Sequence, residues 1–198
     1  MAVSAADVKA LRDKTGAGMM DCKKALESSD GDMEKAITFL REKGIMSATK
    51  KSSREAKEGI IHTYVHPGSR IATMVEINCE TDFVARNESF QTLARDIAMQ
   101  VAATKPLAVE RADVPQEAAE KEMDIFRNQA LNEGKPAQIV ERIVQGRLEK
   151  FYQENCLLEQ PFIRDTDKTV KDLITDAVAT LGENIVVRRF IRYELGSE

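Results

Sequence analysis

Histidine is scarce: the chain has only His62 and His66. They stand four apart in a stretch that reads as a strand running into a turn, so they could share a face. Glu76 or Cys79 could be imagined as further ligands, yet no standard zinc spacing accompanies them. Cysteine is sparse too. Cys22, Cys79 and Cys156 are scattered, odd in number and without a CxxC pair, which points to reduced thiols rather than a disulfide framework. Cys79 is a poor nucleophile candidate, because the neighbouring Glu80 and Asp82 disfavour a thiolate. There is no GxxxxGKS/T phosphate loop and no dinucleotide fingerprint. Thr15-Gly16-Ala17-Gly18 is glycine-rich, but it joins two helical stretches and follows no strand, so it reads as helix termination. No apolar run approaches the length of a membrane span. No secretory or targeting pattern is expected ahead of the first helix. A net charge of −4 lacks the basic excess of a global nucleic-acid binder. The expectation is a protein with no cofactor, no metal, no direct nucleic-acid contact and no membrane association.

What is present is an ordinary globular balance, 42% apolar and 31% charged, over 198 residues, enough for one large domain or two small ones. Residues 4–44 read as three short helices. Ser4 and Asp7 have the spacing of a capping box, Val8 and Leu11 give the first apolar stripe, and Gly16 and Gly18 end it. Met19, Cys22, Ala25 and Leu26 mark the second helix. Met33, Ala36, Ile37 and Leu40 mark the third, which is expected to stop at Gly44. Three helices in about forty residues make a marginal core unless it packs on something else. The polar stretch from Ser47 to Glu58 carries Lys50, Lys51, Arg54 and Lys57. Glu55 and Glu58 interrupt it and no aromatics are interleaved, so a solvated linker is favoured over an RNA patch.

The pattern then changes. Ile61, Thr63 and Val65 alternate with His62 and Tyr64. After the turn signal Pro67-Gly68-Ser69, Ile71, Thr73, Val75 and Ile77 alternate again, predicting a β-hairpin with one apolar face. Phe90, Leu93, Ala94, Ile97, Ala98 and Val101 predict a strong amphipathic helix capped by Asn87 and ended by Lys105-Pro106. Further helices are expected after Pro115, after Pro136 and after Thr169, the last closed by Gly182. A long final strand alternates from Ile185 to Leu195. Strands at both ends with helices between predict an α+β fold with a small antiparallel sheet.

The candidate chemistry is that of binding. Met19 and Met20 are adjacent on a helix, so one is expected to face inward and the other to be an adaptable exposed group. Arg12, Lys23 and Lys24 surround them with positive charge. Two core methionines remain an equal alternative from spacing alone. Glu80-Thr81-Asp82-Phe83-Val84 joins a sheet-like stretch to a helix, where a ring is hard to bury. Phe83 is thus either an anchor for another protein's pocket or a ring capping the corner. Asp82 could be a local cap.

The segments Thr15–Leu26 and Glu80–Val84 closely resemble bacterial elongation factor Ts, the short form. Further likeness comes from Gly134-Lys135-Pro136, Gln145-Gly146-Arg147, Lys150-Phe151, Leu157–Phe162, Lys168-Thr169-Val170 and Val187-Arg188-Arg189-Phe190. The resemblance implies a ubiquitin-associated-like three-helix module, followed by an α/β core with a small antiparallel sheet and several helices. The corresponding division is a partner-docking module over 1–46, a linker over 47–58, and a core and dimerisation domain over 59–198. It implies a guanine-nucleotide exchange factor for GDP-bound elongation factor Tu in the cytoplasm, without covalent chemistry of its own. Arg12, Met19, Met20 and Lys23 would meet the partner. Thr81, Asp82, Phe83 and Val84 would form a wedge that dislocates its magnesium. Longer family members carry a second related half, so here a second copy of the chain is expected to supply it in a homodimer. The competing expectations are a helical-module adaptor without exchange activity and a hydrolase using Cys79 and the histidines.

Overall fold

A computed structural model describes residues 3–197; Met1, Ala2 and Glu198, at the outer ends of the expected segments, lie outside them. The helices are α1 (Ala5–Thr15), α2 (Met19–Ser28), α3 (Met33–Lys51), α4 (Asp82–Ala85), α5 (Glu88–Thr104), α6 (Gln116–Asn132), α7 (Ala137–Asn155) and α8 (Val170–Leu181). The strands are β1 (Glu58–Val65), β2 (Ile71–Cys79), β3 (Pro161–Phe162), β4 (Asp165–Thr169) and β5 (Val186–Glu194). This is the expected α+β class. One sheet has the order β1-β2-β5, and β3 pairs with β4 antiparallel. Among the described residues no helix is long and apolar enough to cross a membrane.

The chain forms two compact units, each assembled from separate stretches. The first contains the segment ending at Ile61, Glu76–Ala94 and Asp172–Val186; the second contains His62–Val75, Arg95–Lys171 and the segment from Val187.

In the first unit, Ser4 Oγ accepts from the Asp7 N–H at 3.1 Å while the Asp7 carboxylate accepts from the Ser4 N–H, the expected capping box. Gly16 closes α1 in the left-handed region, φ 68°. Val8, Leu11, Cys22, Ala25, Leu26 and Ala36 form the three-helix core. So small a core needs external support, and α8 provides it. Arg41 pairs with Asp172 at 3.2 Å. A Cβ placed on Gly44 would lie 3.6 Å from the Ala179 methyl. Gly44 therefore serves close helix packing and not helix termination. The third helix runs on to Lys51, so residues 47–51, expected as the start of a linker, are helical.

The hairpin forms as expected, but β1 presents the opposite face. Ile60, His62 and Tyr64 are half-buried, while Ile61, Thr63 and Val65 are exposed. The cause lies at the start of the strand. Gly59, at φ 144°, runs so close to β2 that a Cβ would fall 2.1 Å from the Ile77 carbonyl oxygen. Asn78 Nδ2 donates to the Glu58 carbonyl beside it, at 3.2 Å. That contact pins the pairing, and a one-residue change of phase exchanges every side chain between faces. In β2 the expected set is correct: Thr73, Val75 and Ile77 are buried.

In the second unit, Thr73 Oγ1 donates to the Ala98 carbonyl of α5 at 2.9 Å. Along β5, Val187 is buried, Arg188 and Arg189 are both exposed, and Phe190, Arg192 and Glu194 are then half-buried. The alternation slips by one residue, and Ile191, Tyr193 and Leu195 face out. Arg192 can occupy an inward position because its Nε donates to the Ala102 carbonyl at 3.1 Å and Nη1 pairs with Glu194 at 2.7 Å. Helices α6 and α7 make a hairpin around Ala130, Val140 and Val144. Ile139, beside Val140 at the start of α7, is exposed. The short β3–β4 ladder was not anticipated, because Asp165–Thr169 is polar and lacks an alternating pattern.

Candidate functional site

Strand β2 ends at Cys79, and the chain turns through Glu80 into a single helical turn. Thr81 is extended (φ −131°, ψ 154°) and its Oγ1 accepts from the Val84 N–H at 3.4 Å, so Thr81 caps α4. Asp82, expected as a possible cap, instead begins α4 and pairs with Arg86 at 2.8 Å. Ala85 is buried and roots the turn. Phe83 stands on its outer side and is 79% exposed. Val84 is half-buried. Asn87 Oδ1 accepts from the Ser89 N–H at 2.8 Å and starts α5 as expected.

The turn is held from one side by a carboxylate that sequence reasoning missed. Glu183 follows Gly182, which terminates α8 at φ 81°. Its Oε2 accepts from the Glu80 and Thr81 N–H groups, each at 3.0 Å, and its Oε1 accepts from Thr81 Oγ1 at 2.6 Å. Glu80 answers the interaction. Its Oε1 accepts from the Asn184 N–H at 2.6 Å and from Arg54 Nη1 at 3.4 Å. Asn184 Nδ2 donates to the Arg54 carbonyl at 2.8 Å. Glu183 is 102 residues from Thr81, so no local pattern in the sequence links the two.

The second candidate patch lies on the first two helices. Arg12 and Lys23 are exposed, Lys23 pairing with Glu27 at 3.7 Å. Met19 and Met20 are 47% and 62% exposed, so the expectation that one of them faces inward is wrong. Cys22, Ala25 and Leu26 fill the core positions of α2. Met19, in line with Cys22 and Leu26 by helical spacing, sits one turn beyond them at the helix start. This patch and the Phe83 turn belong to the same compact unit.

The residues considered for hydrolysis are not assembled for it. Cys79 is fully buried, and its Sγ–H donates to the Thr81 carbonyl at 3.1 Å. Burial first, and the Glu183 charge second, push its thiol up to about 11. Burial lowers the His62 pKa, with Arg95 adding to the effect. His66 Nδ1 is engaged with the Tyr64 hydroxyl at 3.1 Å. Among the described residues no group of three His, Cys, Asp or Glu side chains could hold a metal ion.

Residues 3–197 match the family described as Elongation factor TS. Elongation factor Ts of Moorella thermoacetica is 62% identical over 194 residues, spanning 98% of this chain and 96% of that protein. Elongation factor Ts of Carboxydothermus hydrogenoformans is 64% identical over 189 residues, spanning 96% of this chain and 87% of that protein. Elongation factor Ts of Thermodesulfovibrio yellowstonii is 59% identical over 196 residues, spanning 99% and 98%.

Proposed function

Because the chain belongs to the elongation factor Ts family and is thus a translation elongation factor, we propose that it is the guanine-nucleotide exchange factor of elongation factor Tu. It engages the GDP-bound GTPase in the cytoplasm, forms no covalent intermediate and uses no cofactor. Residues 1–46 dock through Arg12, Met19, Met20 and Lys23. Residues 47–51 continue the third helix, and residues 52–58 connect it to the core and dimerisation domain over 59–198. Thr81, Asp82, Phe83 and Val84 then press into the partner and disturb its magnesium and phosphate site.

The observation that carries this reading is Phe83: a ring 79% exposed on a turn that is hydrogen-bonded on its other side. An exposed aromatic on a fixed turn loses little entropy on binding and offers a large apolar area, the properties of an interface anchor. Exchange by this route is physically economical. Magnesium and backbone N–H groups hold a bound diphosphate, so a small displacement of both lowers its affinity. The coupling is reciprocal: a factor that weakens GDP binding is itself weakened by GDP and is released to act again.

Val65, Met74, Ile191, Tyr193 and Leu195 are all exposed in the second unit, and this apolar surface supports the homodimer.

The test is release of labelled GDP from purified elongation factor Tu with a substoichiometric amount of this chain. The exchange function requires many GDP molecules released per chain. An adaptor would bind the GTPase and leave the release rate unchanged.

A further inference from the structure

We propose that Glu183 is the positioning residue of the Phe83 turn: it fixes the turn's direction so that docking energy reaches the ring. The inference rests on the exchange function proposed above. Its foundation is the hydrogen-bond arrangement. One carboxylate takes three donors from two consecutive residues, the N–H groups of Glu80 and Thr81 and the Thr81 hydroxyl. Thr81 Oγ1, oriented by this donation, is the same atom that receives the Val84 N–H and caps α4. A chain of bonds thus runs from Glu183 through Thr81 to Val84, the residue after Phe83. Charge-assisted bonds of this kind are the stronger class.

Glu183 is itself fixed. It stands just past Gly182, the residue that ends α8, and α8 also supports the three-helix module through Arg41–Asp172 and the close approach at Gly44. Asn184, the next residue, is bonded to Glu80 and to the carbonyl of Arg54. The docking patch and the Phe83 turn therefore share one reference element within the first unit. Without Glu183, α4 keeps its Val84 cap bond, its own backbone bonds, the buried Ala85 and the Asp82–Arg86 pair, and Glu80 keeps its bonds to Asn184 and Arg54; what is lost is all three bonds that fix the direction of the Glu80–Thr81 backbone and of the Thr81 hydroxyl. The ring would remain available to bind, but the force of docking would turn the segment aside.

The experiment measures labelled GDP release from elongation factor Tu across a concentration series of parent chain, Glu183→Ala, Glu183→Gln, Thr81→Val and the Glu183→Ala/Thr81→Val pair. Glu183→Ala is expected to lower the saturating release rate at least tenfold, with the half-saturating concentration changed less than threefold. Glu183→Gln is expected to recover most of that rate. Its amide oxygen can serve the two N–H donors while its NH2 donates to Thr81 Oγ1, so it keeps the three contacts, with the Thr81 bond reversed in direction and the charge lost. The double variant should be no slower than the slower single variant, because both changes break one chain of bonds. In the free protein, amide exchange at Glu80 and Thr81 should accelerate at least tenfold in Glu183→Ala, with Ile97 and Ala98 of α5 unchanged. If that variant loses protection throughout, the rate and half-saturation of Thr81→Val decide the question by the same criterion. Full release by Glu183→Ala, equal slowness of Glu183→Gln and Glu183→Ala, or multiplicative losses in the double variant would each overturn the proposal. A parent chain that fails to release GDP would refute the exchange function instead, and the amide-exchange arm would still decide whether Glu183 holds the turn.

Discussion

Replacing Phe83 by Ala separates a ring that serves the partner from a ring that serves the fold. In the free chain only about a fifth of its surface is covered, since it is 79% exposed. A Phe side chain offers on the order of 200 Å². The covered fraction is then roughly 40 Å², or about 1 kcal/mol at 25 cal/mol per Å². For a chain of this size, that corresponds to a melting shift of roughly 2–4 °C. In the complex proposed above, the rest of the ring would enter a pocket. Truncating a buried aromatic anchor costs about 2–4 kcal/mol. At about 1.4 kcal/mol per decade, this is on the order of 30- to 1,000-fold if all of it appears in the nucleotide-expelling step. Contacts made only in the state that is losing nucleotide shift the equilibrium, whereas contacts made equally in both states do not. Release at saturating Phe83→Ala should therefore fall more than binding does. The assay pairs thermal melting with GDP release from elongation factor Tu. A variant melting more than about 8 °C early, twice the upper end of the expected shift, would contradict the exposed position of the ring. One releasing GDP at the parent rate would return Phe83 to a structural role.

Met19→Ala and Met20→Ala should each weaken docking roughly three- to thirtyfold with little change in melting, because both side chains are exposed; normal binding with early melting would make them core residues. Replacing Cys22, Cys79 and Cys156 together by Ser or Ala should leave the GDP-release rate of the folded variant largely intact, and Cys79 in the parent should resist alkylation at pH 8, as a buried thiol pushed up to about 11 must. Loss of release in a normally folded triple variant would restore a thiol role. Light scattering should report a homodimer, and Tyr193→Lys should shift it to the 22.1 kDa monomer by placing a charge on the exposed apolar surface; a parent chain that stays monomeric over a wide concentration range would refute that assembly.

The elements legible in the sequence were those whose signals are local. The Ser4–Asp7 box, the stripe from Phe90 to Val101 and the Pro67-Gly68-Ser69 turn each specify their own geometry within a few residues, and each formed as expected. The misreadings came where a partner segment decides. Gly44 has the composition of a helix stop, but Ala179 makes it a packing position. Ile61, Thr63 and Val65 look like an inward face until the approach of Gly59 to Ile77 sets the phase. Arg192 occupies an inward position because it finds the Ala102 carbonyl, which alternation cannot reveal. At the candidate site, a junction ring and adjacent methionines singled out Phe83 and the Met19–Met20 pair, but local spacing left a buried alternative open for each, and the exposure of Phe83 and of both methionines comes from the fold. Glu183 was not, because an acidic residue after a helix-ending glycine is commonplace and its donors lie about a hundred residues upstream.

The central claim is that this chain lowers the affinity of a GTPase for GDP by pressing a fixed aromatic turn into it. The most direct measurement is the rate of labelled-GDP release from elongation factor Tu as the chain is titrated in. The account predicts a rate that rises hyperbolically to a plateau at least tenfold above spontaneous release, and a complex that dissociates when excess GDP is added. Binding to the GTPase at every concentration with no change in the release rate would contradict it.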